Sequence, residues 1–398
     1  MKIIHTGDWH IGKIVNEFSM IEDQRFILQQ LIKVIEEEKP QALVIAGDLY
    51  DRSIPPVEAV ELLDEVFSKI LLQLKTPILA IAGNHDSAER LSFGSKLFTD
   101  SGLHIAGVLD KEVKKVILND GQEDFCFYLV PYKDPREVRA LLQDEEIKCH
   151  DSAMKKIIDL IKGTMTEGEK SVLVAHGYVS FISEAAADSE QENIPLELET
   201  SDSERPLSIG GTDLINARHF DCFNYTALGH LHGPQRVGSD RMRYSGSLLK
   251  YSFSEKDHKK GVSIVEIDSK GEVAVTHKEL IPRRDMRVIR GPLKELIAPE
   301  VYSQNNVEDY IYAILTDEED LLDPISKLRA VYPNIMGLHR ESGQVREDSK
   351  TAASSDYKTK SKLQLFEEFY ESIAGKQLTE EKLSIIKEII ESVEKEVK

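Results

Sequence analysis

The first 110 residues alternate short strand-like runs with helical patterns, and this alternation limits the fold more than any other feature of the chain. Apolar runs of four or five residues end at Thr6, Ala46 and Ala82, and helical patterns occupy residues 20–38 and 57–74 between them. A strand, a helix and a second strand in this order are typical of a parallel sheet with helices packed against it. The sequence therefore predicts an α/β core, and the same kind of pattern continues to residue 281.

Changes in pattern along the chain divide it into four predicted segments. The α/β core covers residues 1–281, and a smaller α+β unit follows at 282–341. Residues 342–362 contain almost no large apolar side chain, which is typical of a flexible linker. Residues 363–398 hold two amphipathic helical patterns that either fold back on the core or dock on a partner protein. The length of the linker favours a partner.

The chain of 398 residues is acidic overall, with 50 Lys and Arg against 70 Asp and Glu. A net charge of −20 repels phosphate backbones at long range and by itself argues against nucleic-acid binding. Residues 236–290 reverse this balance locally, with 13 basic and 8 acidic side chains. Four arginines fall at the predicted domain junction: Arg283, Arg284, Arg287 and Arg290. They either contact phosphate or pair with the abundant acidic groups.

Two absences in the sequence bear on location. No apolar run approaches the ~20 residues that span a bilayer, and the first residues carry no secretion signal. We therefore expect a cytoplasmic protein without a membrane partner. An acidic stretch at 184–199 is interpreted as a solvated loop.

Polar residues with metal-binding side chains stand directly after five predicted strands. They are Asp8 and His10, then Asp48, then Asn84 and His85, then His176, and finally His230 and His232. Because the carboxyl ends of strands in open α/β sheets line the crevice where ligands bind, we expect these side chains to form one site. Each motif alone occurs by chance, and a lone histidine is more often structural. Their occurrence in order, each after a strand, is what indicates a site.

The chemistry of these residues fits two divalent metal ions. An aspartate and a histidine two residues apart supply one oxygen and one imidazole, Asp48 can bridge, and Asn84 offers an amide oxygen. Mixed oxygen and imidazole ligands suit Mn²⁺, Fe or Zn²⁺, and two such ions suit in-line displacement at phosphorus. His85 lies next to this ligand turn. It either contacts the substrate phosphate, protonates the leaving oxygen or has a structural role.

The ordered motifs resemble those of the calcineurin-like metallophosphoesterases. They are Asp8-x-His10, Gly47-Asp48, Gly83-Asn84-His85-Asp86, His176 and Gly229-His230-x-His232. Within this superfamily, further segments are similar to the bacterial SbcD-type nuclease subunits: 5–12, 82–87, 201–206, 227–232 and 243–247. The similarity covers essentially the whole chain.

This resemblance implies a four-layer αββα core, a capping domain at 282–341 over a DNA groove, and C-terminal helices at 363–398 that dock on an SbcC-type ATPase. It implies two divalent ions, with Mn²⁺ the expected metal. One ion would be held by Asp8, His10, Asp48 and His232, and the other by Asp48, Asn84, His176 and His230. His85 would assist the leaving group. A homodimer within a heterotetramer is also implied. The apolar stripe of helix 57–74 then either packs in the core or forms the dimer interface.

The implied function is a metal-dependent DNA nuclease, a double-strand exonuclease and single-strand or hairpin endonuclease that acts with the ATPase in DNA repair and recombination. A small-substrate phosphodiesterase or nucleotidase would use the same metals, but the cap and the partner-type tail argue against it. A metal-free scaffold would not require the complete donor set. Asp51 stands where archaeal and eukaryotic relatives carry a second histidine, and its contribution is left open.

Overall fold

The computed structural model describes residues 1–181, 198–204, 213–319 and 321–341, and five residues of the C-terminal segment: Phe366, Tyr370, Lys382, Leu383 and Ile386. The predicted linker at 342–362 lies outside the described residues, as do most of the acidic stretch at 184–199 and most of 363–398. Residues 1–315 and 321–340 form one compact unit, and residues 316–320 and 341–398 form a second. In the second unit the five described C-terminal residues are helical, and Lys382 Nζ lies 3.0 Å from Tyr370 Oη. The predicted domain boundaries stay a prediction.

Residues 1–130 contribute eight strands and three helices. The strands are β1 Lys2–Thr6, β2 Ile14–Val15, β3 Phe18–Ser19, β4 Ala42–Ile45, β5 Ile78–Ile81, β6 Leu103–Ala106, β7 Lys114–Asn119 and β8 Asp124–Val130. The helices are α1 Ile21–Glu38, α2 Val57–Ser68 and α3 Ala88–Ser92. A π-helical turn, Lys69–Gln73, continues α2, so the predicted helix at 57–74 is present in two geometries.

The remaining described elements follow residue 130. The strands are β9 Lys170–His176, β10 Tyr178–Ser180, β11 Leu214–Asn216, β12 Tyr225–Gly229, β13 Gln235–Val237, β14 Ser239–Tyr244, β15 Gly261–Ile267, β16 Val273–Glu279, β17 Met286–Gly291, β18 Tyr310–Leu315 and β19 Ile335–Arg340. The helices are α4 Pro135–Leu142, α5 His150–Lys162, α6 Leu293–Leu296, α7 Pro299–Tyr302 and α8 Pro324–Arg329.

Two six-stranded sheets form the core. The first has the order β16-β15-β1-β4-β5-β6, and β1, β4, β5 and β6 run parallel. The second has the order β13-β14-β12-β9-β8-β7, and β14, β12, β9 and β8 run parallel. Every residue of β4 and β5 is buried, which is why these strands read as continuous apolar runs without polar alternation.

The two sheets face each other and carry helices on their outer faces. The layer between them contains side chains of both sheets, among them Val44 and Leu79 from the first and Phe127 and Val172 from the second. Helices α1 and α2 cover the outer face of the first sheet, and α4 and α5 cover the second. The predicted four-layer αββα core is therefore confirmed.

A third sheet follows the core. Strands β17, β18 and β19 pair in parallel, and its apolar cluster includes Leu293, Leu296 and Leu328 from the short helices. Helix α8 begins at Pro324, and the Asp323 side chain caps it by accepting the Ser326 N–H.

The junction arginines Arg284 and Arg287 pair with acidic groups. Arg284 binds Asp23 of α1, and Arg287 Nε lies 2.6 Å from Asp309 Oδ2. No helix in the described ranges is long and apolar enough to cross a membrane.

Candidate metal centre

Eight sequence-predicted site residues meet where strands of both sheets end. Asp8 and His10 follow β1, Asp48 follows β4, Asn84 and His85 follow β5, His176 ends β9, and His230 and His232 follow β12. All five strands belong to parallel pairs, so within each sheet their carboxyl ends lie at one edge. The structure therefore brings together residues that are up to 224 positions apart, from Asp8 to His232.

The backbone at these strand ends is strained. Asp8, His10, Asp48 and His230 all have positive φ angles, at 52°, 45°, 52° and 110°. A residue other than glycine in this region costs about 1–3 kcal/mol and is concentrated at functional sites. The approach of the two sheets is also close, since a Cβ added at Gly229 would lie 1.9 Å from the Ala46 carbonyl oxygen. Only glycine fits there.

The first group of donor atoms comprises Asp8, His10 and His232, whose ligand atoms all lie within 4.8 Å of one another. All three residues are buried. His10 Nε2 and His232 Nε2 are 3.0 Å apart. Within the ranges that the structure describes, His10 Nδ1 has no hydrogen-bond partner. Asp8 also accepts the His230 N–H with both carboxylate oxygens, at 2.9 and 3.1 Å, which orients the segment that carries His232.

The second group comprises Asp48, Asn84, His176 and His230. His176 Nδ1 lies 2.8 Å from the Ala46 carbonyl oxygen, which can only accept, so this nitrogen carries the proton. The unprotonated His176 Nε2 lies 2.8 Å from Asn84 Oδ1 and 3.5 Å from Asp48 Oδ2. Asn84 Oδ1 is also 3.3 Å from His230 Nδ1. Several acceptor atoms therefore face one another.

These residues fit divalent metal ions. Two acceptor atoms at hydrogen-bond distance, such as His176 Nε2 and Asn84 Oδ1, repel each other unless a cation lies between them. Burial raises the pKa of Asp48 to about 6 and holds the pKa of Asp8 well above its usual range. Burial also lowers the pKa of His176 and of His232 to about 4, so both imidazoles are neutral at neutral pH, the form in which histidine can bind a metal ion.

Asp86 connects the turn after β4, which carries Asp48, with the turn after β5, which carries Asn84. Its carboxylate accepts the N–H groups of Leu49, Tyr50 and Gly83 at 3.1, 2.9 and 3.0 Å. Leu49 and Tyr50 follow Asp48, and Gly83 precedes Asn84. Asp86 therefore fixes the distance between the turns after β4 and β5.

His85 and Asp51 occupy one side of the cluster. The His85 N–H donates to Asp48 Oδ1 at 2.8 Å, and His85 Nδ1 donates to the Asp51 carbonyl oxygen at 2.9 Å. The His85 and His10 ring centroids are 4.6 Å apart. The Asp51 carboxylate binds Lys13 Nζ at 2.7 Å and lies 3.7 Å from His10 Nδ1. The backbone of Asp51 thus supports the position of His85, whereas its side chain, whose contribution the sequence left open, binds Lys13.

Sequence reasoning missed a set of polar residues around His232. Glu255 and Lys260 are buried, and Ser203 and Glu204 lie beside them. The family resemblance includes the segment 201–206 but gives it no chemical role. No sequence pattern connects this segment with Glu255, which lies 52 positions after Ser203.

Comparison with known proteins shows that the chain is similar to two protein families and to a bacterial nuclease subunit. The calcineurin-like phosphoesterase family matches residues 1–233, and the type 5 capsule protein repressor C-terminal domain family matches residues 282–373. A Staphylococcus epidermidis protein described as a subunit of the nuclease SbcCD, its SbcD chain, is 33% identical over 393 residues, which is 98% of each chain.

Two solved structures are also similar to the chain, a Thermus thermophilus protein and a dimetal phosphatase from Danio rerio. Each has a TM-score of 0.37 and covers 69% of this chain and 98% of its own, at 9% and 12% identity respectively.

The family match over residues 1–233 includes all eight site residues, from Asp8 to His232. It spans more than half of the 398 residues, and the S. epidermidis relative aligns over nearly the full length of both proteins. The chain belongs to the calcineurin-like phosphoesterase family and, within it, to the SbcD nuclease subunits.

Proposed function

We propose that this chain is a divalent-metal-dependent nuclease subunit that hydrolyses phosphodiester bonds in DNA, as a double-strand exonuclease and a single-strand or hairpin endonuclease. The observation that carries the proposal is the buried cluster in which two acceptor atoms, Asn84 Oδ1 and the unprotonated His176 Nε2, face each other, and in which His10 Nε2 lies 3.0 Å from His232 Nε2. The S. epidermidis relative, named as a nuclease subunit, supports DNA as the substrate.

Two ions, for which Mn²⁺ is our proposal, would be held by seven residues: Asp8, His10, Asp48, Asn84, His176, His230 and His232. Mixed carboxylate, amide and imidazole donors are compatible with Mn²⁺. When bound, the ions supply a reactive water-derived nucleophile and neutralise charge on the phosphodiester. Asp48 is the residue proposed to bridge them, and its distances of 3.7 Å to His10 Nε2 and 3.5 Å to His176 Nε2 support that role.

His85 is the proposed acid for the leaving oxygen. Its Nδ1 donates to the Asp51 carbonyl oxygen, and this bond fixes the plane of the ring. The His85 side chain is only partly buried, so a substrate can reach it. A positioned imidazole with access to the leaving group is suited to proton donation.

A groove beside the cluster supports a polymeric substrate. It is lined by Val15, Asn16, Tyr251, Phe253 and Tyr312, so both the core and the small sheet form its walls. The Tyr251 ring lies 5.7 Å from the His10 ring, which places one end of the groove next to the proposed metal site. Walls from both the core and the small sheet beside the proposed metal site support a substrate larger than a small diester.

The partners are part of the proposal. We propose that residues 363–398 dock on an SbcC-type ATPase and that the subunit acts with it in DNA repair and recombination. We also propose a homodimer within a heterotetramer, formed through an apolar groove between α2 and α3 that is lined by Val60, Leu63 and Phe67 of the helix 57–74 stripe and by Phe93. Phe93 and Leu97 support this surface, since they are 88% and 81% exposed. The cytoplasmic location stays a prediction.

The test is Mn²⁺-dependent cleavage of linear duplex DNA by the wild type and by His85→Ala, each with and without the SbcC-type partner and ATP. We expect the wild type to cut and His85→Ala to lose most activity while still binding Mn²⁺. His104→Ala is the matched control, because His104 lies on β6 outside the cluster and its loss should leave cleavage unchanged.

A small chromogenic phosphodiester separates the alternatives. Hydrolysis of this compound without DNA cleavage under any condition would favour a small-substrate phosphodiesterase or nucleotidase. Absence of both activities, together with absence of bound metal, would favour a scaffold.

A further inference from the structure

Three of the four polar groups of His232 are held by residues that the proposed mechanism does not use. Its Nδ1 lies 2.6 Å from Ser203 Oγ. Its N–H donates to Glu204 Oε1 at 2.7 Å, and its carbonyl oxygen accepts from Lys260 Nζ at 2.7 Å. The fourth group, Nε2, faces His10.

The direction of these hydrogen bonds follows from the chemistry of the donors. The Ser203 hydroxyl has one proton and donates it to Glu255 Oε1, because an ionised carboxylate can only accept. Ser203 Oγ must then accept from His232 Nδ1–H, and Ser201 Oγ at 3.0 Å supplies its remaining contact. The proton of the imidazole is therefore on Nδ1, and the lone pair is on Nε2.

Glu255 forms a buried ion pair with Lys260. The Lys260 ammonium lies next to the Glu255 carboxylate, which accepts from it and from the Ser203 hydroxyl. Lys260 Nζ lies 2.5 Å from Glu255 Oε2 and 3.0 Å from Ser247 Oγ, and both charged residues are buried. The hydrogen bonds that lead through Ser203 to His232 therefore begin at this buried ion pair.

We infer that Ser203, Glu255 and Lys260 form a relay that positions His232, by keeping its proton on Nδ1 and presenting the Nε2 lone pair to a divalent ion. The inference rests on the metal-binding part of the proposed function. His176 obtains the same orientation from the Ala46 carbonyl oxygen. Side chains therefore do for His232 what a backbone carbonyl does for His176. Hydrogen-bond partners of this kind hold a metal-binding histidine in one tautomer and one ring orientation.

The protonation site of His232 can be read directly in the metal-free protein. Nitrogen-15 NMR of labelled histidine distinguishes Nδ1–H from Nε2–H, with the His232 signal identified by its loss in His232→Gln. We expect Nδ1–H in the wild type, a mixture of tautomers in Ser203→Ala, and Nδ1–H again in Ser203→Thr, which keeps the hydroxyl.

Glu255→Gln should change the His232 tautomer completely, whereas Ser203→Ala should give a mixture. Its amide oxygen can take over the Lys260 contact, so its amide nitrogen would donate to Ser203 Oγ. The hydroxyl of Ser203 would then donate to His232 Nδ1, and the proton would move to Nε2. Nδ1–H in both Ser203→Ala and Glu255→Gln, as in the wild type, would overturn the relay.

Metal affinity is the second readout, with Mn²⁺ alone as the probe in calorimetric titration. We expect Ser203→Ala to weaken binding of one Mn²⁺ ion by about tenfold and Ser203→Thr to restore it. Ser254→Ala is the matched control, because Ser254 Oγ anchors the same segment through the Asp202 N–H but does not contact His232. Equal binding by Ser203→Ala and the wild type would overturn the inference.

Two comparisons separate positioning of His232 from a general loss of stability. The unfolding midpoint of metal-free Ser203→Ala should match that of Ser254→Ala. A residue with a purely structural role would lower stability without changing the His232 tautomer. A wild type that binds two Mn²⁺ ions but does not cut DNA would overturn the proposed nuclease function and leave the relay intact.

Discussion

Arg284 donates two hydrogen bonds to the carboxylate of Asp23, from Nε at 3.0 Å and from Nη2 at 2.6 Å. Asp23 lies in the first turn of α1 and is fully buried. Tyr310 Oη of β18 donates to the same carboxylate at 2.7 Å, and the guanidinium lies over the Tyr310 ring, 5.2 Å from its centroid. One buried carboxylate therefore connects the first helix of the core with the third sheet and the segment that precedes it.

Removing this carboxylate should destabilise the protein. We expect Asp23→Ala to lower the free energy of unfolding by about 3 kcal/mol, because Arg284 and Tyr310 both lose their acceptor. A double-mutant cycle with Arg284→Ala, measured by urea unfolding, should give a coupling energy of about 2 kcal/mol. The matched control is the exposed pair of Arg25 and Glu65, which also begins on α1 and should give less than about 1 kcal/mol. Equal coupling in the two pairs would contradict this account.

Asp86→Ala should loosen both ligand-bearing turns of the first sheet. It leaves the N–H groups of Leu49, Tyr50 and Gly83 without their acceptor, and we expect a loss of about 2 kcal/mol in the free energy of unfolding. DNA cleavage should fall as well, because Asp48 and Asn84 sit in these turns. Asp86→Asn keeps one acceptor oxygen, so its free energy of unfolding and its DNA cleavage should lie between those of the wild type and Asp86→Ala. An unchanged unfolding midpoint in Asp86→Ala would rule out this role.

The stability of the protein should fall in acid partly because of His5. This residue of β1 contacts the second sheet, where Tyr225 Oη donates to its Nδ1 at 2.8 Å and Leu228 O accepts from its Nε2 at 3.2 Å. Burial lowers the pKa of His5 from 6.5 to about 3. Between these values the unfolded chain binds more protons, so stability is lost as the pH falls below 6.5.

The contribution of His5 should be about 2 kcal/mol between pH 7.5 and pH 5. Urea unfolding of the wild type and His5→Gln at both pH values measures it. We expect the acid-induced loss to be smaller in His5→Gln by this amount. The same loss in both proteins would show that protonation of His5 does not contribute.

The proposed homodimer can be tested at an exposed aromatic residue. Phe93 lines the groove between α2 and α3. Because Phe93→Asp removes an apolar contact from the interface, it should raise the dissociation constant of the dimer by about tenfold or more. Leu322→Asp is the control, since Leu322 is also exposed but lies on the third-sheet segment. Sedimentation velocity gives the constants. A monomeric wild type, or a dimer unaffected by Phe93→Asp, would exclude this interface.

Much of the core and its site could be predicted from local sequence. The runs that end at Thr6, Ala46 and Ala82 became β1, β4 and β5, because fully buried parallel strands are apolar throughout. The polar residues after each run were expected to converge, because parallel strands end at a common edge. The short edge strands β10, β11 and β13 were not predicted, since two or three residues give no periodic pattern.

The contacts between distant polar residues could not be predicted in the same way. Asp23 and Arg284 are 261 positions apart, and Ser203 and Glu255 are 52 positions apart. Nothing in the local sequence of either residue specifies its partner. The same holds for α2, where Leu63 and Phe67 are buried although Val60 of the same apolar stripe is 45% exposed.

The α/β core, the family and the positions of the candidate metal-binding side chains follow from the sequence alone, because they depend on hydrophobic periodicity and on motifs that are continuous along the chain. Only the folded structure shows which acidic groups pair with Arg284 and Arg287, which nitrogen of His232 and His176 carries the proton, and how the third sheet is joined to α1. These are set by which polar groups are buried side by side, and burial leaves each of them only the partners that packing brings within hydrogen-bond distance.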